Sequence, residues 1–459
     1  MIQKALGAPE WFRKGAVYQI NPRTFSREGT IRAITKELPY LADLGFRTIY
    51  LCPIFEEDAS ENRENWSTRQ KASETGNPKN PYRMKDYFRI DEEYGSMEDL
   101  MECIRTCHAH GMRLLLDLVY LHIGPNAAIL ASHPEFAKQN ADGSFVNGKW
   151  NFPLLDFGHP GLREYLWSNM IYYIASLDAD GFRCDVGDGV PLDFWAEGRR
   201  RITSVKPDAV LINEGVNGDS LLTAFNAIYG FSWHSTLYDV MIGGKSASIL
   251  RQDWERTRRQ LPAGGLILRD MDNHDTVTDW PGRIETMAGH TGMDLILALN
   301  YAIDGVPMVY TGNEIADEAV LSMFANRFHP GKFDATDRSP AHKREPAAER
   351  RAALVRQLNA LRRGDDIFSR GEVTWIDSDA PDAVIAFRRT LGERHAWFAA
   401  NLRNEPVSVR IAEPFSGSFG NALVSGAEMP AEDRLSFAPH GFILIRDREP
   451  DGKEERILP

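Results

Sequence analysis

The stretch SMEDLMECIRTCHAHGMRLLLDLVYLH, residues 96–122, contains both building blocks of the chain. Ser96 to His110 carries the apolar spacing of an amphipathic helix, opened by a Ser cap and closed by Gly111. Arg113 to Val119 is then a nearly unbroken apolar run holding one carboxylate, which is the pattern of a strand buried on both faces. The same alternation recurs on either side. Further strands are expected at Ala16 to Ile20, Thr48 to Cys52, Gly181 to Asp185, Ala209 to Asn213, Gly265 to Arg269 and Pro307 to Thr311, with a weaker one at Ala227 to Phe231. Helical patterns lie between them, among them Leu162 to Leu177, Leu192 to Ile202 and Met293 to Ile303. Strands alternating with helices build a parallel sheet, and eight such units predict an α/β fold, a (β/α)8 TIM barrel with insertions.

Two connections are far longer than a barrel needs. Glu56 to Lys85 carries Trp66 and Tyr82; Gly124 to about His159 carries Gly143 and Gly148 around an expected hairpin, then Trp150. Both follow strands, so both are expected on the face where barrel enzymes keep their sites. From about Phe368 the texture changes to alternating strands, Glu372 to Ile376, Ala383 to Arg388, Ala396 to Asn401 and Phe442 to Ile445, followed by a charged end from Asp447 to Pro459 that is expected to fray. The expected division is a barrel over 1–123 and 160–365, a short inserted domain over 124–159 after the third strand, and a C-terminal antiparallel β-sandwich over 366–459.

The 459 residues include 53 basic and 65 acidic side chains, a net charge of −12 that repels phosphate backbones and argues against nucleic acid or an anionic membrane as partner. No apolar run has the length of a signal peptide or a membrane span, so a cytoplasmic protein is expected, as monomer or homodimer. The four Cys are read as reduced thiols. Cys103, Cys107 and His110 share a helix face at i, i+4 and i+7, but small groups on a buried face explain them as well as a metal does.

The chemical signal lies at the strand ends. The third strand ends in the stretch Asp117 to His122, the fourth in Arg183 and Asp185, the fifth in Asn213 and Glu214, and the seventh leads to Asp272, His274 and Asp275. One carboxylate at a strand end is often a helix cap; four strands doing so together point to a site. Converging carboxylates, with no phosphate loop and no Cys ligand set, suit glycoside cleavage, where one carboxylate attacks and another donates a proton. Arg183 lies on the same face as Asp185, so a fixed positive charge is expected to hold that carboxylate ionised.

These residues resemble the α-amylase superfamily, glycoside hydrolase family 13. The matching stretches are AVYQINPRTF (16–25), GFRTIYLCPIF (45–55), DYFRIDEEYGSMEDL (86–100), LLLDLVYLH (114–122), DGFRCDV (180–186), INEG (212–215), DNHD (272–275) and GVPMVYTGNE (305–314), in the family's order. The resemblance implies Asp185 as nucleophile, Glu214 as general acid/base and Asp275 as a third carboxylate that orients sugar hydroxyls. It implies Tyr82, His122, Arg183 and His274 as sugar-binding residues, Asp117 as a structural Asp, and no cofactor. It also implies a retaining hydrolase of α-glucosidic bonds, with an oligosaccharide or disaccharide as partner; a transglycosylase or isomerase using the same intermediate, and a non-catalytic sugar-binding paralogue, are the alternatives. Two departures stand out. Leu121 occupies the place of a calcium-ligating Asn, and a hydrocarbon cannot ligate a hard cation, so no metal is expected. Asp188-Gly189 replaces the usual Lys-His after the nucleophile, and an acidic group there is expected to favour a short, hydroxyl-rich or cationic leaving group. Trp66, Trp150 and Trp233 are candidate sugar-stacking residues.

Overall fold

Eight short strands are apolar on both faces, and the only arrangement that buries both faces of a parallel sheet without edges is a closed barrel wrapped in helices. The strands are β1 (Val17–Ile20), β2 (Thr48–Leu51), β3 (Arg113–Leu118), β4 (Gly181–Cys184), β5 (Val210–Asn213), β6 (Ala227–Tyr229), β7 (Leu266–Arg269) and β8 (Val306–Tyr310). All neighbours pair in parallel and β8 closes on β1, with Val17 opposite Met308. Every expected barrel strand is present within two residues of its expected ends. The computed structural model describes residues 3–279, 283–330, 333–413, 419–428 and 434–447.

Strand parity sorts the core into two layers. Val17, Tyr50, Leu115, Val210, Ile212 and Leu268 fill the barrel interior, while Tyr18, Ile49, Leu116, Phe182, Leu211 and Ile267 face the surrounding helices. Gly181 opens β4 at φ 145°, and a Cβ there would lie 2.0 Å from the Val210 carbonyl oxygen, so the close β4–β5 approach requires glycine. The helix Met97–Ala109 starts in a capping box between Ser96 and Asp99. The expected helix at Met293 is the second part of a longer one, Ile284–Ala302, bent at Gly289, whose φ is 70°.

The two long connections are ordered. In the first, Phe55–Glu57 pairs antiparallel with Met84–Ile90, and the helix Thr68–Ala72 sits between. In the second, the helix Ala128–Ser132 precedes two tight turns, one closed by Asn140 and Ser144 and one by Gly148 and Phe152. The C-terminal region is an antiparallel sheet of six strands, two more than expected, Val407–Arg410 and Phe419–Ala427 being the additions. Its faces alternate: Val384, Ala386, Trp397 and Ile443 form a core of its own, and Ile385, Phe387, Phe398 and Phe442 join the core of the barrel helices. Residues 448–459 of the charged end lie outside the described residues. Among the described residues, no helix is long and apolar enough to cross a membrane.

Candidate active site

Barrel parity delivers the polar side chains to one end. Leu115 fills the barrel, so Asp117 two residues later on β3 points inward too; Ile212 and Glu214 stand in the same relation on β5, and Arg183 and Asp185 on β4. Asp185 and Glu214 come immediately after the last residues of their strands, where the backbone leaves the barrel.

Arg183 is the hub. Its Nη1 donates to Asp117 Oδ1 and Oδ2 at 2.8 and 3.0 Å and to Asp185 Oδ1 at 2.8 Å. Its Nη2 lies 2.6 Å from Glu214 Oε1, a charge contact in which the N–H is not aligned for a hydrogen bond. One guanidinium therefore bridges the two carboxylates. Glu214 Oε2 accepts the Val186 backbone N–H at 2.7 Å. Val186 has φ 42° and ψ 46°, a left-handed conformation that β-branched residues rarely adopt, and the Gly187 N–H bond to the Glu214 carbonyl at 3.1 Å helps hold it.

A second layer fixes the rings. Asp117 also accepts the Tyr50 hydroxyl at 2.6 Å and the Tyr82 hydroxyl at 3.2 Å. Tyr82 lies 2.5 Å from His274 Nε2, and Gln19 Nε2 lies 2.7 Å from His274 Nδ1. His122 Nε2 donates to the Tyr82 carbonyl at 3.0 Å, which leaves Nδ1 as a buried acceptor with no partner among the described residues. Asp275 sits at the pocket's edge, paired with Arg69 Nη1 at 2.7 Å and 3.5 Å from His274 Nε2.

The electrostatics follow from these contacts. Burial and the neighbouring Glu214 push the Asp185 carboxyl well above the usual range, with Arg183 opposing them. The expectation that Arg183 holds Asp185 ionised thus needs correction: at this carboxyl burial and Glu214 outweigh the guanidinium. Burial also raises Glu214, against Arg183 and with Asp275. Asp275 behaves oppositely: burial would raise it, but His274, Arg69 and Arg183 hold it at about 2. Burial lowers His122 to about 4, so its ring is neutral, and it lowers His274 as well.

These groups line a pocket whose empty space, mouth included, is about 450 Å³. All seven expected site residues meet there or directly beneath it. Five wall residues carried no signal in the sequence reading: Ser67, Arg69, Phe152, Met323 and Phe324. Arg69 and Phe324 come from different loops and meet with the guanidinium 5.9 Å from the ring centre, a long-range pairing that spacing cannot show. Of the three candidate Trp, only Trp150 lines the pocket, its ring 5.4 Å from that of His122. Trp66 is buried, bonding the Ser60 carbonyl at 2.8 Å, and Trp233 is buried against Arg269 and bonds Asn300 at 2.9 Å, so both are packing residues.

Asp188 also differs from its expected place. Its carboxylate accepts Asn213 Nδ2 at 2.7 Å and the backbone N–H groups of Val216 and Asn217 at 2.7 and 3.1 Å, so it anchors the loop after β5 instead of facing a leaving group. A Cβ on Gly215 would lie within 2.5 Å of that carboxylate. Leu121 packs at the open side of Gly189, where a Cβ would meet its methyls at 3.1 Å. Cys103 and Cys107 are buried while His110 is exposed, so the three do not converge, and among the described residues no cluster of three or more His, Cys, Asp or Glu is arranged to hold a metal.

The family model for the α-amylase catalytic domain matches residues 9–148. A cyclomaltodextrinase of Geobacillus thermopakistaniensis (strain MAS1) is 25% identical, covering 95% of this chain and 77% of its own. An intracellular maltogenic amylase of Bacillus subtilis is also 25% identical, covering 96% and 78%. Among solved structures, the noncanonic maltogenic α-amylase AmyB of Thermotoga neapolitana superposes with a TM-score of 0.78 at 24% identity, covering 95% of this chain and 99% of that one. An α-amylase of Lactobacillus plantarum gives the same TM-score at 21% identity, covering 96% of this chain and 100% of that one. The family-model match and the relatives along the chain support the α-amylase superfamily of glycoside hydrolases for this chain.

Proposed function

We propose that the enzyme hydrolyses the α-glucosidic bonds of short or cyclic α-glucans with retention of configuration, in the cytoplasm, with the barrel of 1–123 and 160–365 carrying the chemistry and the 124–159 insertion shaping the pocket. The observation that carries the reading is the single Arg183 guanidinium bridging Asp185 and Glu214 beside a third carboxylate, Asp275. Two carboxyls held on one guanidinium suit the separation of about 5–5.5 Å that retaining catalysis needs. The relatives named cyclomaltodextrinase and intracellular maltogenic amylase support the substrate class and the location.

In the first step Glu214, whose raised pKa lets it keep a proton, donates to the glycosidic oxygen while Asp185 attacks the anomeric carbon. A proton on Glu214 also removes its repulsion from Asp185, leaving Arg183 as the charge facing the nucleophile. In the second step Glu214 takes a proton from water and the glucosyl–Asp185 ester is cleaved. Asp275, ionised throughout, accepts sugar hydroxyls once substrate displaces Arg69, and His122 Nδ1 is a ready acceptor for another. Trp150 and Phe152 give the rings apolar faces on which to lie.

The test is incubation with maltose to maltoheptaose, isomaltose, trehalose, sucrose and cyclodextrins, with products separated by chromatography and their anomers read by NMR. Shorter α-configured sugars from maltodextrins or cyclodextrins are expected. Longer or isomeric sugars as the main products would replace hydrolysis by transfer, and β-configured products or no turnover would overturn the reading.

A further inference from the structure

The end of the barrel opposite the active site carries a second cavity, whose empty space, mouth included, is about 950 Å³, between the strand starts and the C-terminal sheet. Leu266 at the start of β7 and Gly305 just before β8 form its barrel wall, and Gly371 and Arg389 form its sheet wall. Its side chains are unusual in charge. Arg13, Arg258, Arg370 and Arg389 line it, against the two carboxylates Asp304 and Glu372.

The carboxylates do not neutralise this excess. Asp304 is already held by Arg269 at 2.8 Å, which approaches from behind the wall, by the Trp254 indole N–H at 2.9 Å, and by Arg258 at 3.4 Å. Glu372 is exposed at the start of its strand. Arg389 is buried, yet its guanidinium donates only to carbonyls, Gly371 at 2.8 and 3.2 Å and Ala302 at 2.6 Å. Behind it Arg362 likewise bonds four carbonyls and no carboxylate. Burial, together with neighbouring guanidiniums, pushes Arg389 down to about 10 and Arg362 down to about 9. Asp304 attracts both guanidiniums but is shared with Arg258 and Arg269, and buried cations that share one carboxylate are costly, so the site would gain from an anion. Arg13 lines the cavity and makes no side-chain hydrogen bond or ion pair among the described residues; Arg370 repels its guanidinium and Glu10 attracts it.

We propose that this cavity binds a small phosphate monoester of sugar-phosphate size. Guanidinium forks match the oxygens of a phosphate: Arg370 is paired with Glu10 and Asp366 and Arg258 with Asp304, which leaves Arg13 and Arg389 as the two wall guanidiniums with no carboxylate bond among the described residues. The volume is in the range of cavities that hold organic ligands, and Trp254, braced by Trp375 with ring centres 6.1 Å apart, offers an aromatic wall for the carbon skeleton.

The experiment is thermal unfolding and calorimetric titration of the full chain in phosphate-free buffer, with KCl holding ionic strength constant. The titrants are glucose 6-phosphate, inorganic phosphate and glucose. Glucose 6-phosphate is expected to bind saturably and raise Tm by about 3 °C at a hundredfold excess over Kd. Inorganic phosphate is expected to compete with it more weakly, and glucose not to compete. Arg13→Gln should weaken binding at least about tenfold, Arg13→Lys less so, with hydrolysis unchanged in both. Because Arg13 makes no side-chain hydrogen bond or ion pair among the described residues, and the pull of Glu10 is opposed by the push of Arg370, the variant's own Tm without ligand should match the parent. A shift no larger than that from KCl, an equal shift with glucose, or undiminished binding by Arg13→Gln would each overturn the proposal.

Discussion

At the scale of single residues, the account rests on how one guanidinium divides its contacts among Asp117, Asp185 and Glu214. Asp185→Asn keeps the shape and removes the nucleophile, so kcat should fall by roughly 10⁴-fold or more, with the fold intact by circular dichroism. Glu214→Gln should lose activity on maltodextrins yet keep much of it on α-glucosyl fluoride, whose leaving group needs no proton. The pH profile separates the roles. Glu214 must be protonated to act, and its pKa is raised, so activity persists to higher pH than a free Glu would allow and then falls as pH rises; Glu214→Gln should abolish that alkaline limb on the fluoride. Asp275 at about 2 and His122 at about 4 have finished titrating below about pH 5 and add no limb above it. Asp188 belongs to the scaffold: Asp188→Ala should cost about 1 kcal/mol of stability by unfolding in urea, with products unchanged. Altered products with unaltered stability would return Asp188 to the leaving-group side.

At the scale of elements, the barrel strands were readable because burial on both faces leaves an unmistakable apolar run, and because their inward parity continues into Asp117, Arg183, Asp185 and Glu214. The site residues on those strands were legible for the same reason. What escaped the sequence was contributed by loops meeting across the pocket. Arg69 and Phe324 are more than two hundred positions apart, and no periodicity marks either as a wall residue. Trp66 and Trp233 misled because an indole at a strand end or in a long loop reads alike whether it packs inward or faces sugar. Trp150→Ala should raise KM about tenfold with little change in kcat, since it removes stacking and leaves the carboxylates alone. The loop bearing Met323 is anchored by buried Arg23, which donates to the Met323 carbonyl at 2.7 Å and pairs with Glu57 and Glu93 at 2.9 Å each. Arg23→Met leaves two buried carboxyls without their cation and should cost about 3–5 kcal/mol, seen as a lowered urea midpoint.

At the scale of the molecule, the C-terminal sheet is part of the barrel's core as well as a unit of its own. Four of its strands were visible as alternating runs; Val407–Arg410 was too short and Phe419–Ala427 too rich in small polar residues to stand out. Phe387, Phe398 and Phe442 bury one face of the sheet in the cluster that includes Leu295 and Leu299 of the helix Ile284–Ala302. Removing the sheet from residue 366 onward should therefore expose a large apolar face and yield an aggregating barrel, checked by light scattering of the truncated chain. On the proposed mechanism the fold holds Asp185 ready for attack, and that claim is tested most directly by trapping. The enzyme is incubated with 5-fluoro-α-D-glucosyl fluoride, and its intact mass and peptide map are read by mass spectrometry. The account predicts one fluoroglucosyl adduct, on the peptide carrying Asp185, absent in Asp185→Asn; an adduct on another carboxylate, or on Asp185→Asn itself, would contradict it.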